Sequence, residues 1–71
     1  MDRMNTDELP LAREELHLLA LLSRGLQAHT IARQLETTDR TVRRRTRHIC
    51  DRLGVGTPVE AVVWAVRRGL V

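Results

Sequence analysis

The sequence contains neither phenylalanine nor tyrosine, and Trp64 is the one aromatic residue among its 71 residues. A core must therefore be built from leucine, valine, isoleucine and alanine. This composition favours packed helices over a β-sandwich, because strands are enriched in aromatic residues. The single cysteine, Cys50, excludes an internal disulfide and the zinc sites that use paired cysteines. Such cysteine usage fits a reducing compartment, and we expect a soluble cytoplasmic protein.

Lysine is also absent, so all twelve cationic side chains are arginines. Residues 1–36 carry four arginines against six acidic residues, whereas residues 37–71 carry eight against three. Arginine suits bidentate contacts with phosphate or guanine, although a GC-rich coding sequence explains the preference over lysine equally well. The basic second half predicts a polyanionic partner.

Long hydrophobic runs and catalytic patterns are missing as well. The longest apolar run, residues 16–22, is too short to span a bilayer, and the polar, acidic start of the chain does not resemble a signal peptide. The spacing of His17, His29 and His48 matches no set of metal ligands. No paired carboxylates, nucleophile arrangement or phosphate-binding glycine loop is present. We expect no enzyme, no metal or cofactor, and no membrane association.

Hydrophobic spacing and capping residues predict an all-α, compact four-helix domain over residues 9–71, preceded by a frayed tail at residues 1–8. The helices are expected at residues 11–23, 28–35, 38–53 and 58–68. Gly25, Gly54 and Gly69 supply stop signals, and the sequence of residues 57–60, Thr-Pro-Val-Glu, predicts a capping box. A three-residue turn, residues 36–38, joins the second and third helices, and its last residue, Thr38, is the N-cap of the third helix; this is the outline of a helix-turn-helix.

A helical wheel of the third helix separates an apolar stripe from a basic face. Ile49 and Leu53 lie within about 20° of Val42 at about 100° per residue, and Thr46 and Cys50 lie beside them. The opposite side carries four arginines, namely Arg40, Arg43, Arg44 and Arg47. Arg45 points away from this face. A solvated basic face is the plain alternative, but like charges three and four residues apart repel, and a polyanion would relieve that repulsion.

The second helix of a helix-turn-helix enters the major groove of DNA. We therefore expect Arg43, Arg44 and Arg47 to face base edges or flanking phosphates. Residues near the start of the same helix are better placed for phosphates, and these are Thr38, Arg40 and Thr41.

Over residues 11–70 the chain resembles the LuxR-type, or GerE-type, helix-turn-helix domain of bacterial transcription regulators. The matching positions, in order, are Gly25, Ile31-Ala32, Leu35, Thr41-Val42-Arg43, Ile49, Arg52-Leu53, Val55 and Glu60-Ala61-Val62. The chain departs from the family pattern at Ala12, at residues 27–30, at Glu36 where a glycine is usual, at Thr37 and at Arg45. The departures at residues 27–30 remove a usual cap and a basic phosphate contact.

The resemblance implies a sequence-specific DNA-binding regulator that dimerises through its fourth helix. That helix is apolar almost all round, which a surface helix should not be. Ala61, Val62 and Ala65 can pack on the core, while a second strip, formed by Val59, Val63 and Val66, is left for a self-contact. A fully buried fourth helix is the alternative, and Trp64 fits either the rim or the centre of an interface.

Two other functions compete with a homodimeric regulator bound to double-stranded DNA. One is a promoter-reading domain like sigma-factor region four, with RNA polymerase as its partner, although the apolar fourth helix argues against it. The other is a small interaction module or antagonist that pairs with a full-length regulator. RNA binding is disfavoured because no aromatic residues stand where single-stranded RNA would need them for stacking.

Overall fold

The computed structural model describes residues 10–71, which form four helices and no strand. The helices are α1 (Arg13–Ser23), α2 (Ala28–Gln34), α3 (Asp39–Leu53) and α4 (Pro58–Arg67). The predicted all-α class and the order of the four helices are confirmed. The tail predicted for residues 1–8 lies outside the described residues.

The helix boundaries differ from the predicted ones by one or two residues. Helix α1 begins at Arg13 rather than at residue 11, because Ala12 is extended (φ −80°, ψ 169°) and Leu11 reaches the core from outside the helix. Helices α2 and α4 each end one residue earlier than predicted, and Thr38 caps α3 instead of belonging to it. The start of α1 is stabilised by Glu15, whose Oε1 accepts a hydrogen bond of 2.8 Å from the backbone N–H of Ala12. This carboxylate supplies half of a capping box that alanine cannot complete.

The core is aliphatic, as the composition requires. Helix α1 packs against α3 and α4, and α2 packs against α3. The residues that these helices bury most completely are Leu18, Leu19, Ile31, Val42, Ile49, Ala61 and Ala65. Each fully buried Leu, Ile or Val contributes about 1.5–3 kcal/mol of transfer free energy, so the stripe of α3 that joins this core holds the helix in a fixed orientation.

The turn between α2 and α3 has an unusual backbone. Glu36 adopts φ 57°, and it is the one non-glycine residue among residues 10–71 with a positive φ. Its N–H donates to Arg33 O at 3.2 Å, and the next N–H, of Thr37, donates to Ala32 O at 2.8 Å. These two bonds form a Schellman motif, which usually places glycine where Glu36 stands. The motif ends α2 abruptly and sets the direction in which α3 leaves.

Candidate nucleic-acid interface

The start of α3 is fixed by a side-chain cap. Thr38 Oγ1 accepts from the backbone N–H of Thr41 at 3.1 Å and donates to Thr41 Oγ1, also at 3.1 Å. Because the two hydroxyls share one hydrogen bond, the pair keeps one hydroxyl proton that can point outward. Asp39 lies in the first turn, where the helix dipole favours a carboxylate.

The inner side of α3 is buried, and its buried polar side-chain atoms have hydrogen-bond partners. Val42 and Ile49 are at most 1% exposed, and Thr46 donates its hydroxyl proton to Val42 O at 2.8 Å. No buried side-chain nitrogen or oxygen within residues 10–71 lacks a hydrogen-bond partner. Four of the five residues of the predicted stripe, Val42, Thr46, Ile49 and Cys50, are buried. Leu53, at the end of the helix, is only partly buried and packs against the core.

The outer side of α3 presents the arginines to solvent. Four are exposed on the predicted face, namely Arg40, Arg43, Arg44 and Arg47. In the part of the chain that the structure describes, the single ion pair joins Arg52 to Glu15 at 3.5 Å. None of the four has a carboxylate partner there, although Asp51 is exposed on the same side. Four neighbouring guanidinium groups that form no direct ion pair within residues 10–71 make a surface suited to an anion.

The arginines do not all have the same neighbours. Arg43 and Arg47 line a groove of about 640 Å³, here called the α3 groove, which lies between α3, the facing ends of α1 and α2, and the connection from α3 to α4. Arg44 and Arg45 instead line a shallow depression of about 360 Å³ beside Glu14 and Glu15 of α1. Arg45 is thus next to the acidic start of α1, as expected for a residue turned away from the basic face.

The wall of the α3 groove includes Cys50, the free thiol of the chain, which is 5% exposed. Burial raises the pKa of the Cys50 thiol, and the negative charge of Asp51 raises it further. The thiol therefore stays protonated at neutral pH and adds a weakly polar surface to the groove. Sequence reasoning placed Cys50 beside the buried stripe but gave no indication of the groove.

Helix α4 exposes one apolar strip while it buries another. Ala61 and Ala65 are fully buried, whereas Val59, Val63 and Val66 are 70%, 39% and 51% exposed. Half of the predicted capping box is present: Thr57 Oγ1 accepts from the backbone N–H of Glu60 at 3.2 Å. The Glu60 carboxylate accepts from the N–H of Gly56 at 2.8 Å, one residue before the cap, rather than from the N–H of Thr57 itself. In this chain, therefore, α4 is not buried on all sides.

Trp64 lies between the core and the exposed strip of α4. The indole packs partly against the core, and the guanidinium of Arg68 stacks over the ring at 4.4 Å from its centroid. Arg68 Nη1 also donates to Trp64 O at 3.1 Å. These contacts stabilise one orientation of the indole, with a cation–π interaction of about 0.5–1 kcal/mol at an exposed site.

Two further observations bear on the class of site. Within residues 10–71, no group of three or more histidine, cysteine or acidic side chains is arranged to hold a metal ion. In the same stretch, no helix has the length and apolar character needed to cross a membrane.

Comparisons with known proteins identify the architecture. Residues 9–65 match the family model described as bacterial regulatory proteins, luxR family. The chain is also similar to the transcriptional regulatory protein YdfI of Bacillus subtilis (strain 168), with 32% identity over 65 residues that cover 92% of this chain and 30% of YdfI. The chain thus spans less than a third of that relative. No solved structure matches the chain significantly. The chain belongs to the LuxR family of bacterial regulatory proteins, as a helix-turn-helix domain for DNA binding and transcription regulation.

Proposed function

We propose that the chain is a sequence-specific transcription regulator that inserts α3 into the major groove of double-stranded DNA. The observation that carries this proposal is the exposed face of Arg40, Arg43, Arg44 and Arg47, which has no carboxylate partner within residues 10–71 and follows the tight turn at Glu36. A major groove about 12 Å wide admits one helix, and the buried stripe of α3 keeps its arginine side turned outward.

The arginines near the middle of α3 are assigned to bases. Arg43 and Arg44 extend from one turn of the helix and Arg47 from the next, and arginine is the usual side chain for bidentate contact with guanine O6 and N7. Arg40 and the Thr41 hydroxyl, at the start of the helix, are assigned to phosphates. Thr38, which is exposed, fixes Thr41 through their hydrogen bonds and is assigned to the phosphates with it.

The regulator acts as a homodimer through the strip of Val59, Val63 and Val66. Three exposed valines on one helix face make an apolar patch that a second copy would cover. A two-fold dimer would read two half-sites about 34–36 Å apart, which corresponds to one turn of DNA. A full-length regulator that shares this helix could occupy the same strip, and the chain would then act as an antagonist.

The test is the double substitution Arg44→Ala with Arg47→Ala, assayed on DNA sites selected from a random pool. Each good arginine–guanine contact is worth roughly 1–3 kcal/mol of discrimination, so the loss of two should weaken specific binding by at least about 30-fold. The matched control is Arg13→Ala with Arg33→Ala, which removes the same charge from exposed positions outside α3.

Both double-substitution variants must retain the thermal stability of the parent chain, and the control variant must retain specific binding to the selected DNA. Equal losses of binding in the two doubles would mean that net charge, not the face of α3, governs affinity. Parent binding should also fall steeply with salt, by about 0.9 log units per phosphate neutralised for each tenfold increase. A flat salt profile, or no selected site at all, would favour the antagonist over the DNA-binding regulator.

A further inference from the structure

The α3 groove has the size and construction of a small-molecule site. Its volume of about 640 Å³ falls within the roughly 300–1,000 Å³ typical of ligand pockets. Its apolar walls come from separate parts of the fold: Leu22 of α1, Ala28 of α2, and Val55 and Pro58 after α3. Because the packing of all four helices sets these positions, the groove exists before any ligand arrives.

The charged side chains that line the groove are more often positive than negative. Arg43 and Arg47, both exposed, line the groove together with one carboxylate, that of Asp51. Thr46 also lines the groove, and its buried hydroxyl already donates to Val42 O. The groove therefore combines an excess of positive charge, two arginines against one carboxylate, with apolar side chains.

This pattern selects one chemistry of ligand. An aliphatic body removes apolar wall surface from water, and an anionic head group forms charge-assisted hydrogen bonds with the guanidinium groups. A ligand that is polar along its whole length, such as a sugar, would leave its hydroxyls unpaired against Leu22, Val55 and Pro58.

We propose that the α3 groove binds a small amphipathic anion, an aliphatic carboxylate or phosphate, and that this ligand competes with DNA for Arg43 and Arg47. The competition rests on the proposed DNA-binding function, whereas the binding of the anion does not. Ligand and DNA exclude one another because the same two guanidinium groups cannot pair with a carboxylate and a base edge together. The groove is thereby a site at which a metabolite directly lowers occupancy of the operator.

The probe is octanoate, compared with acetate, which lacks the body, and 1-octanol, which lacks the charge. Titration followed by amide chemical shifts should give a dissociation constant for octanoate of about 1 mM or lower, a reasonable affinity for a ligand of its size. The shifts should cluster at Cys50, Val55 and Gly56 around the groove. Acetate and octanol should bind at least about tenfold more weakly, since each lacks one of the two interactions.

Two substitutions test the assignment within the protein. Arg47→Gln removes one guanidinium, and Ala28→Leu fills the apolar wall; each should weaken octanoate binding by about tenfold or more. Arg33→Gln, at an exposed position outside the groove, is the control for charge and should leave the octanoate affinity unchanged. Circular dichroism must show that all three variants fold.

A second measurement addresses the competition. Octanoate at saturating concentration should release the parent chain from its DNA site, while acetate at equal ionic strength should not, and Ala28→Leu should remove the difference. If octanoate fails to bind, or if its shifts map to the depression at Glu14 and Arg45, the proposed site is refuted whatever the DNA result. If octanoate binds in the groove but DNA stays bound, the competition is refuted and the site stands. A chain that binds octanoate but no DNA would overturn the proposed function alone.

Discussion

The backbone of Glu36 predicts that one substitution in the turn will stabilise the protein. An L-residue in the left-handed region costs roughly 1–2 kcal/mol, and Glu36 is held there at φ 57° by the Schellman bonds of α2. Glycine removes this strain. However, it loses more conformational freedom on folding, and this entropic cost cancels about 0.5–1 kcal/mol of the stabilisation. The acid also lies at the carboxyl end of α2, where the helix dipole disfavours it by a further 0.3 kcal/mol or so. Glu36→Gly should therefore raise the free energy of unfolding by about 1 kcal/mol.

The assay is denaturant and thermal unfolding followed by far-ultraviolet circular dichroism and by the fluorescence of Trp64. For a domain of this size, 1 kcal/mol corresponds to an increase in Tm of about 4–8 °C. Glu36→Gln separates the two causes, because it removes the charge and keeps the strain. That variant should gain at most about 0.5 kcal/mol.

A reciprocal substitution at the end of α3 tests the same reasoning. Gly54 has φ 74°, and a Cβ added there would meet no atom within 4 Å. Gly54→Ala therefore creates no collision beyond the local backbone, and it should lower the stability by about 1 kcal/mol. An unchanged Tm in both Glu36→Gly and Gly54→Ala would show that left-handed strain does not govern these helix ends. A gain in Glu36→Gln equal to that of Glu36→Gly would assign the effect to charge.

Two other predictions concern α4 and the buried thiol. Val63→Glu should shift a dimer towards monomer in sedimentation, because it places a charge in the middle of the exposed valine strip. The control His29→Glu, at an exposed position elsewhere, should leave the dimer intact. An unchanged mass for Val63→Glu would show that α4 is not part of the interface. Since the folded pKa of Cys50 is raised above its unfolded value, the stability that it contributes is complete at neutral pH and is lost as the pH rises through the alkaline range. Cys50→Ala should flatten this alkaline decline in the free energy of unfolding, and an identical pH profile would show that other groups cause it.

The helices could be predicted from the sequence because local signals and burial agree. Thr38 and Thr57 are good caps, and both accept the backbone hydrogen bonds that such residues normally accept. The prediction for α1 was less accurate because Leu11 satisfies the hydrophobic pattern from an extended segment. Periodicity records which residues are buried, not whether the backbone that carries them is helical.

The role of Trp64 was left open by the sequence, although one of its contacts, with Arg68, follows from the spacing of the two residues along the helix. Arg68 follows Trp64 by four residues, a spacing that brings two side chains of a helix together. The observed stacking of Arg68 over the indole fits this spacing. The other contact, of the indole with the core, is not local, because it depends on how α4 packs against the rest of the domain.

The α3 groove shows most clearly what a helical wheel cannot supply. A wheel assigns Arg43, Arg44 and Arg47 to one face, because it describes an isolated helix. In the folded domain, neighbouring elements divide that face: the groove flanks Arg43 and Arg47, while the start of α1 flanks Arg44. If the groove binds an anion as proposed, substitutions at Arg47 should change both ligand and DNA affinity, whereas Arg44→Ala should change DNA affinity alone. Measurement of octanoate and DNA binding on these two variants would show whether the division has a functional consequence.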